Sequence, residues 1–85
     1  MIRSDDLPKL LVLKPYSEII GNLVNYQKKN KNHILVMETK KTYRLDIPFE
    51  LVSLRSSDFL SLVKSKVSIL RTDTDYRVLH EETGT

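Results

Sequence analysis

The sequence predicts a small, mainly β domain of barrel type, followed by a short helix and a β-hairpin. Three observations lead there. Apolar residues recur in short runs of strand length, broken by prolines, lysine clusters and polar pairs, and sustained helical spacing is confined to one segment. The chain has 85 residues, which bounds it to one domain with a single small core. Five short strands with short connections in so small a chain leave exposed edges unless the sheet closes on itself, and closure into a barrel removes them.

Taken in order, LLVLK (Leu10 to Lys14) reads as a first strand. Pro15 closes it, because proline cannot donate to a ladder, and favours a turn over Lys14 to Ser17. EIIGNLVNY (Glu18 to Tyr26) is rich in β-branched and aromatic residues, with Gly21 in its middle as the mark of a bulge or bend, so one strongly curved second strand is expected. HILVMET (His33 to Thr39) is a third, well-buried strand. TYRLDI places Tyr43, Leu45 and Ile47 on one face and Arg44 and Asp46 on the other until Pro48 stops the ladder, giving a fourth strand with one wet face. ELVSL (Glu50 to Leu54) alternates weakly and is expected as the fifth.

The remaining third differs. SSDFLSLVKSK offers Ser56 or Ser57 as an N-cap, Asp58 in the first turn, apolar Phe59, Leu60, Leu62 and Val63, and lysines at the far end, so a helix is expected over Asp58 to Lys64. KVSILR and YRVLH flank the polar TDTD as a hairpin, and EETGT, residues 81–85, reads as a frayed tail. The domain is thus expected as a core over 10–54 with an addition over 55–80. That addition is too apolar to be a disordered tail and must bury its residues in the core or at an interface.

Composition narrows the function. With 40% hydrophobic and 29% charged residues the chain has an ordinary globular mix. It has no cysteine, so neither a disulfide framework nor a cysteine zinc site is available. The start, MIRSDDLPK, has acidic residues and a proline where a signal peptide needs an apolar run, and no later run reaches membrane-spanning length. A cytoplasmic protein with no membrane partner is expected. His33 and His80 have no acidic or cysteine ligand spacing near them, so no metal is expected. Ser56 and Ser57 have no histidine spaced to activate them and read as capping residues. Asp5 with Asp6, and Glu81 with Glu82, read as solvated terminal pairs. The two glycines lie in no phosphate-cradling motif. Neither catalysis nor a cofactor is expected.

LVLKPYSEIIGNLVNY resembles the first motif of the Sm-like proteins. Val12, Leu13, Lys14, Glu18, Ile19 and Gly21 fall on that family's pattern of an apolar strand ending in lysine, a turn, then acidic and apolar residues before a glycine. Leu23, Tyr26, Asn32 and Ile34 to Val36 continue it, with the loop one residue longer than usual. The resemblance covers Leu10 to about Leu54 and implies a small five-stranded, SH3-type barrel. It further implies assembly into a homo-oligomeric ring, with the fourth strand of one subunit pairing with the fifth of the next, unless the C-terminal segment covers that edge and leaves a monomer. At the second motif the chain departs: Ile47, Pro48, Phe49 and Glu50 stand where the family carries an apolar residue, arginine and glycine at its nucleotide-pocket turn.

The stretch YQKKNKN, expected as a loop between the second and third strands, carries three lysines and two asparagines in seven residues. In the resembled family this loop contributes groups to RNA. Read on its own, its lysines neutralise phosphates, while the asparagine and glutamine amides present donor and acceptor to an unpaired base. The candidate RNA-binding residues are therefore Tyr26, Gln27, Lys28, Lys29, Asn30, Lys31 and Asn32. Tyr26 also reads as a core aromatic at a strand end, and the whole stretch as a solvated surface loop. The net charge of +3 and pI near 9.3 permit a polyanionic partner. A non-catalytic protein that binds single-stranded RNA is the reading preferred. A protein-interaction or assembly module that keeps the barrel without the pocket, and a duplex-DNA-binding barrel, are the rivals.

Overall fold

The structure, a computed structural model, describes residues 8–81. Asp5, Asp6 and residues 82–85 of the expected tail lie outside the described residues. In chain order the elements are β1 (Lys9–Leu10), β2 (Glu18–Lys29), β3 (Asn32–Glu38), β4 (Thr42–Pro48), a 3-10 turn (Phe49–Leu51), α1 (Ser56–Leu62), β5 (Lys66–Arg71) and β6 (Tyr76–His80). The domain is mainly β, with 53% strand and 14% helix. Among the described residues no helix is long and apolar enough to cross a membrane.

The strands form one six-stranded sheet in the order β1-β4-β3-β2-β5-β6, antiparallel throughout except for the β1–β4 pair. It is not closed into a barrel. Two corrections account for this. The expected fifth strand over Glu50 to Leu54 does not form: the chain leaves β4 at Pro48, which has no N–H for a ladder, and turns through the 3-10 segment, Val52 N–H reaching Phe49 O at 3.5 Å. Of the first strand expected over Leu10 to Lys14 only Leu10 is in a strand, Lys9–Leu10, paired to β4 in parallel, and the Leu11 N–H reaches Arg44 O before the chain runs into its turn. That turn is where the sequence places it, with the Ser17 N–H donating to Lys14 O at 2.9 Å.

The segment expected as an addition is integral to the sheet. Strand β5 pairs along Glu18–Asn22 of β2, while β3 pairs along Asn22–Lys29, so one twelve-residue strand serves two neighbours in succession. The bulge in β2 lies at Val24, between the Leu23↔Met37 and Asn25↔Val36 pairs, and not at Gly21. Its consequence is positional. Ile19, Gly21 and Leu23 enter the core at period two, and the extra residue then brings Tyr26 inward in place of Asn25. Gly21 serves another need: a Cβ there would stand 2.5 Å from Glu38 O, so only glycine lets the end of β3 approach so closely.

Helix α1 starts two residues earlier than expected. Its N-cap is Arg55, whose backbone N–H donates to Asp58 Oδ2 at 2.9 Å, so the carboxylate expected in the first turn holds the helix start. Ser56 lies inside the helix. The helix buries Phe59 against the sheet, where it joins Leu23, Leu35, Met37, Leu45, Ile47, Val67 and Ile69 in one core.

Candidate nucleic-acid interface

The lysine-rich stretch is mostly strand. Tyr26↔Leu35, Gln27↔Ile34, Lys28↔His33 and Lys29↔Asn32 are paired positions, so the ladder runs to a two-residue turn at Asn30 and Lys31. The expected long loop is thereby corrected. A backbone ladder pairs regardless of side-chain polarity, and nothing in Gln-Lys-Lys opposes it. Asn30 takes φ 57°, a left-handed conformation that asparagine tolerates and two-residue hairpin turns require, so its presence has a backbone cause.

Strand alternation divides the candidate residues. Gln27 and Lys29 lie on the outer face of the sheet, exposed; Tyr26 and Lys28 share the inner side. Asn30 and Lys31 occupy the exposed tip, and Asn32 is half-buried opposite Lys29 and Pro48. The Lys31 carbonyl accepts the Phe49 N–H at 2.9 Å, which ties the hairpin tip to the 3-10 turn.

Tyr26 is a core residue. It is 8% exposed and its ring stacks on Phe59, with centroids 5.2 Å apart and planes 9° from parallel. Its hydroxyl is hydrogen-bonded to His33 Nδ1 at 2.6 Å and to Ser56 Oγ at 2.9 Å. Both ring and hydroxyl are thus committed within the protein, and Tyr26 leaves the set of RNA-contacting candidates. His33 is buried between Phe49 and Phe59, at 4.5 and 4.6 Å between centroids. Burial pushes its pKa below the ordinary 6.5; the backbone carbonyl of Leu54 acts in the opposite sense, and the Lys28 charge lowers it further.

Beside this cluster opens a cleft of about 360 Å³, lined by Lys28, His33, Phe49, Val52, Ser53, Leu54, Arg55 and Ser56. Three parts of the chain build it. The inner side of the β2–β3 hairpin supplies Lys28, the turn after β4 supplies Phe49, and the approach to α1 supplies Ser53, Arg55 and Ser56. Among the described residues neither Lys28 nor Arg55 is held in an ion pair, whereas Arg44 pairs with Asp46 and Arg77 with Asp75. The cleft therefore combines two uncommitted cations, hydroxyl groups and a half-buried aromatic ring. Of the seven candidates only Lys28 lines it. Ser53 and Arg55 escape sequence reading because the alternation there places them in a strand and just past its end, and Phe49 because it falls just before that strand; the one available signal is the position of Phe49 at the turn where the resembled family builds its nucleotide pocket.

Compared with protein-family models, with curated proteins and with solved structures, the chain gives no match.

Proposed function

We propose that the protein is a non-catalytic nucleic-acid-binding module whose ligand is single-stranded RNA, held at the cleft between the β2–β3 hairpin and the start of α1. The observation that carries this reading is the convergence of Lys28 and Arg55 on one cleft that also contains Phe49. Cations track phosphates, and an aromatic face stacks an unpaired base whatever its identity, which together make a single-strand site. The hydroxyls of Ser53 and Ser56 suit a 2′-hydroxyl partner and favour RNA over DNA. The cleft adjoins the turn at which the resembled Sm-like family forms its pocket but lacks that family's arginine and glycine there, so the reading rests on Lys28, Arg55 and Phe49 themselves. A ring of that family's kind would use a strand over Glu50–Leu54, and here this stretch is the end of a 3-10 turn followed by unpaired chain that bends at Ser53.

The test separates the two faces of one hairpin. Replacing Lys28 and Arg55 together by glutamine should weaken binding to a uridine-rich and an adenine-rich oligomer alike. It should also flatten the slope of log affinity against log salt by about 0.7 for each phosphate no longer neutralised. Lys29→Gln, on the outer face, should leave both nearly unchanged. Equal effects from the two faces, or affinity that follows Lys29, would overturn the assignment to the cleft. Tighter binding of duplex DNA in direct competition would overturn the assignment to RNA.

A further inference from the structure

The sheet ends at β6, and hydrogen bonding there has a definite parity. The Thr72 N–H donates to Asp75 O at 2.8 Å and the Glu81 N–H to Lys66 O at 2.8 Å, which with the β5–β6 register makes Ser68/Leu79 and Leu70/Arg77 the hydrogen-bonded pairs. The backbone groups of Arg77 and Leu79 therefore point to β5, and those of Tyr76, Val78 and His80 point away from it. Among the described residues these outward groups have no backbone partner. They open on a groove of about 500 Å³ walled by Asp75–Leu79 on one side and Glu50–Leu54 on the other. Consecutive residues line both walls. A sheet face would contribute alternate residues, so the groove lies along the strand edge.

We infer that this groove binds one extended polypeptide segment of a partner protein, which adds to β6 as a seventh strand. The edge offers N–H and C=O groups at strand spacing, and a polypeptide backbone is the ligand that matches them in sequence. The far wall, which passes from the 3-10 turn at Glu50 and Leu51 through extended Val52 to a bend at Ser53, is not a strand, so a guest strand in the groove pairs with β6 alone. The inward side is apolar, formed by half-buried Leu51, Val52, Leu54, Tyr76 and Val78, so the guest strand carries apolar residues at alternate positions. On the rim Asp75 and Arg77 oppose each other at 3.8 Å, which leaves Glu50 as the uncompensated charge and favours lysine or arginine flanking the apolar positions. This inference is independent of the RNA cleft, which lies on the other side of Val52–Leu54 and draws on Lys28 and Arg55.

The probe is acetyl-KVTVTVK-amide, added to the nitrogen-15-labelled full chain, with amide exchange read residue by residue. At saturating peptide the exchange of Tyr76, Val78 and His80 should slow by about tenfold or more, while Arg77 and Leu79, already bonded to β5, should not change. In antiparallel addition the guest residues whose amides face β6 share the inward side of Val78, so N-methylation of the probe's valines should abolish the protection and that of its threonines reduce it less; in parallel addition the two probes exchange roles, and equal tolerance of both methylations would overturn the inference. Val78→Pro removes an outward donor and no β5 bond, and should weaken the probe by at least about tenfold; the methylated probes keep the test intact if that variant does not fold. No protection, protection equal at all five β6 residues, or changes confined to Gln27–Asn32 would overturn the inference. So would protection that appears without peptide and grows with protein concentration, which would assign the edge to a second copy of this chain.

Discussion

The β2–β3 hairpin turns in two residues, Asn30 and Lys31, whereas the β5–β6 hairpin takes four, Thr72 to Asp75. The shorter turn has little holding it from within. Asn30 supplies the left-handed backbone, β4 pairs along the whole of β3, and the Phe49 N–H ties the tip to the 3-10 turn through Lys31 O, whereas β5 reaches only the Glu18–Asn22 half of β2. The longer turn is tied to itself. The Thr72 hydroxyl accepts the Thr74 N–H at 3.1 Å and the Asp75 N–H at 2.9 Å, and donates to Asp75 Oδ1 at 2.6 Å. The Arg71 guanidinium then covers the Tyr76 ring at 4.7 Å from its centroid. The difference follows from neighbours: the first hairpin has β4 along all of β3 and the 3-10 turn at its tip, so tertiary contacts help to specify it, whereas β6 has no neighbour but β5 and its turn must be encoded locally.

Three measurements bear on that contrast. The largest effect is expected from Phe59→Ala, since Phe59 is fully buried against Tyr26 and beside His33 at the base of the first hairpin. Its truncation should cost about 3 to 5 kcal/mol, and should lower the denaturation midpoint for every probe together. A loss confined to the β2–β3 hairpin would break the claim that this hairpin is held by the common core. Thr72→Val should cost about 1 to 2 kcal/mol, from the hydroxyl's lost bonds, and should speed amide exchange in β6 while sparing Gln27–Asn32. Equal acceleration in both hairpins would show that the second turn is not locally specified.

The smallest effect is the pH response of His33. Its pKa is depressed in the folded protein, chiefly by burial, so below 6.5 the unfolded chain binds more protons than the folded one. Stability should be complete above that value and decline as pH falls toward the lowered folded pKa. Denaturant midpoints between about pH 7.5 and about 5 should show this slope, and His33→Gln should flatten it. A slope of the opposite sign would mean that the ring gains rather than loses proton affinity on folding.

Much of the sheet was legible because apolar runs of strand length stand between polar breaks: His33 to Thr39 as a buried run, Thr42 to Ile47 by its alternation, and the Lys66–His80 hairpin by the polar TDTD it flanks all emerge close to where the sequence places them. Where no such trace exists the reading failed. Lys28 and Lys29 are polar on both faces, so their membership of β2 left no pattern. Val24 and Asn25 could not announce which residue is bulged, and so which face Tyr26 takes. At Glu50 to Leu54 the alternation is present but the chain does not pair, because Pro48 and the Phe49–Leu51 turn carry it away from β4. The cleft was the least legible part. Lys28 and Arg55 meet only through the packing of α1 against β2, which is a tertiary fact with no local signature.

The division of β2 between two partners also sets an order of events during synthesis. The β2–β3–β4 meander contains only near-neighbour pairings and can assemble as soon as its last strand is made. The first half of β2, from Glu18 to Asn22, has its remaining partner in Lys66–Leu70, far along the chain. Until that stretch leaves the ribosome, Ile19 and Gly21 present an unpaired edge and an uncovered apolar face. A chain ending before Lys66 would therefore keep the residues of the three-stranded meander while leaving the Glu18–Asn22 half of β2 without its second partner, an open edge of the kind that templates unwanted strand pairing.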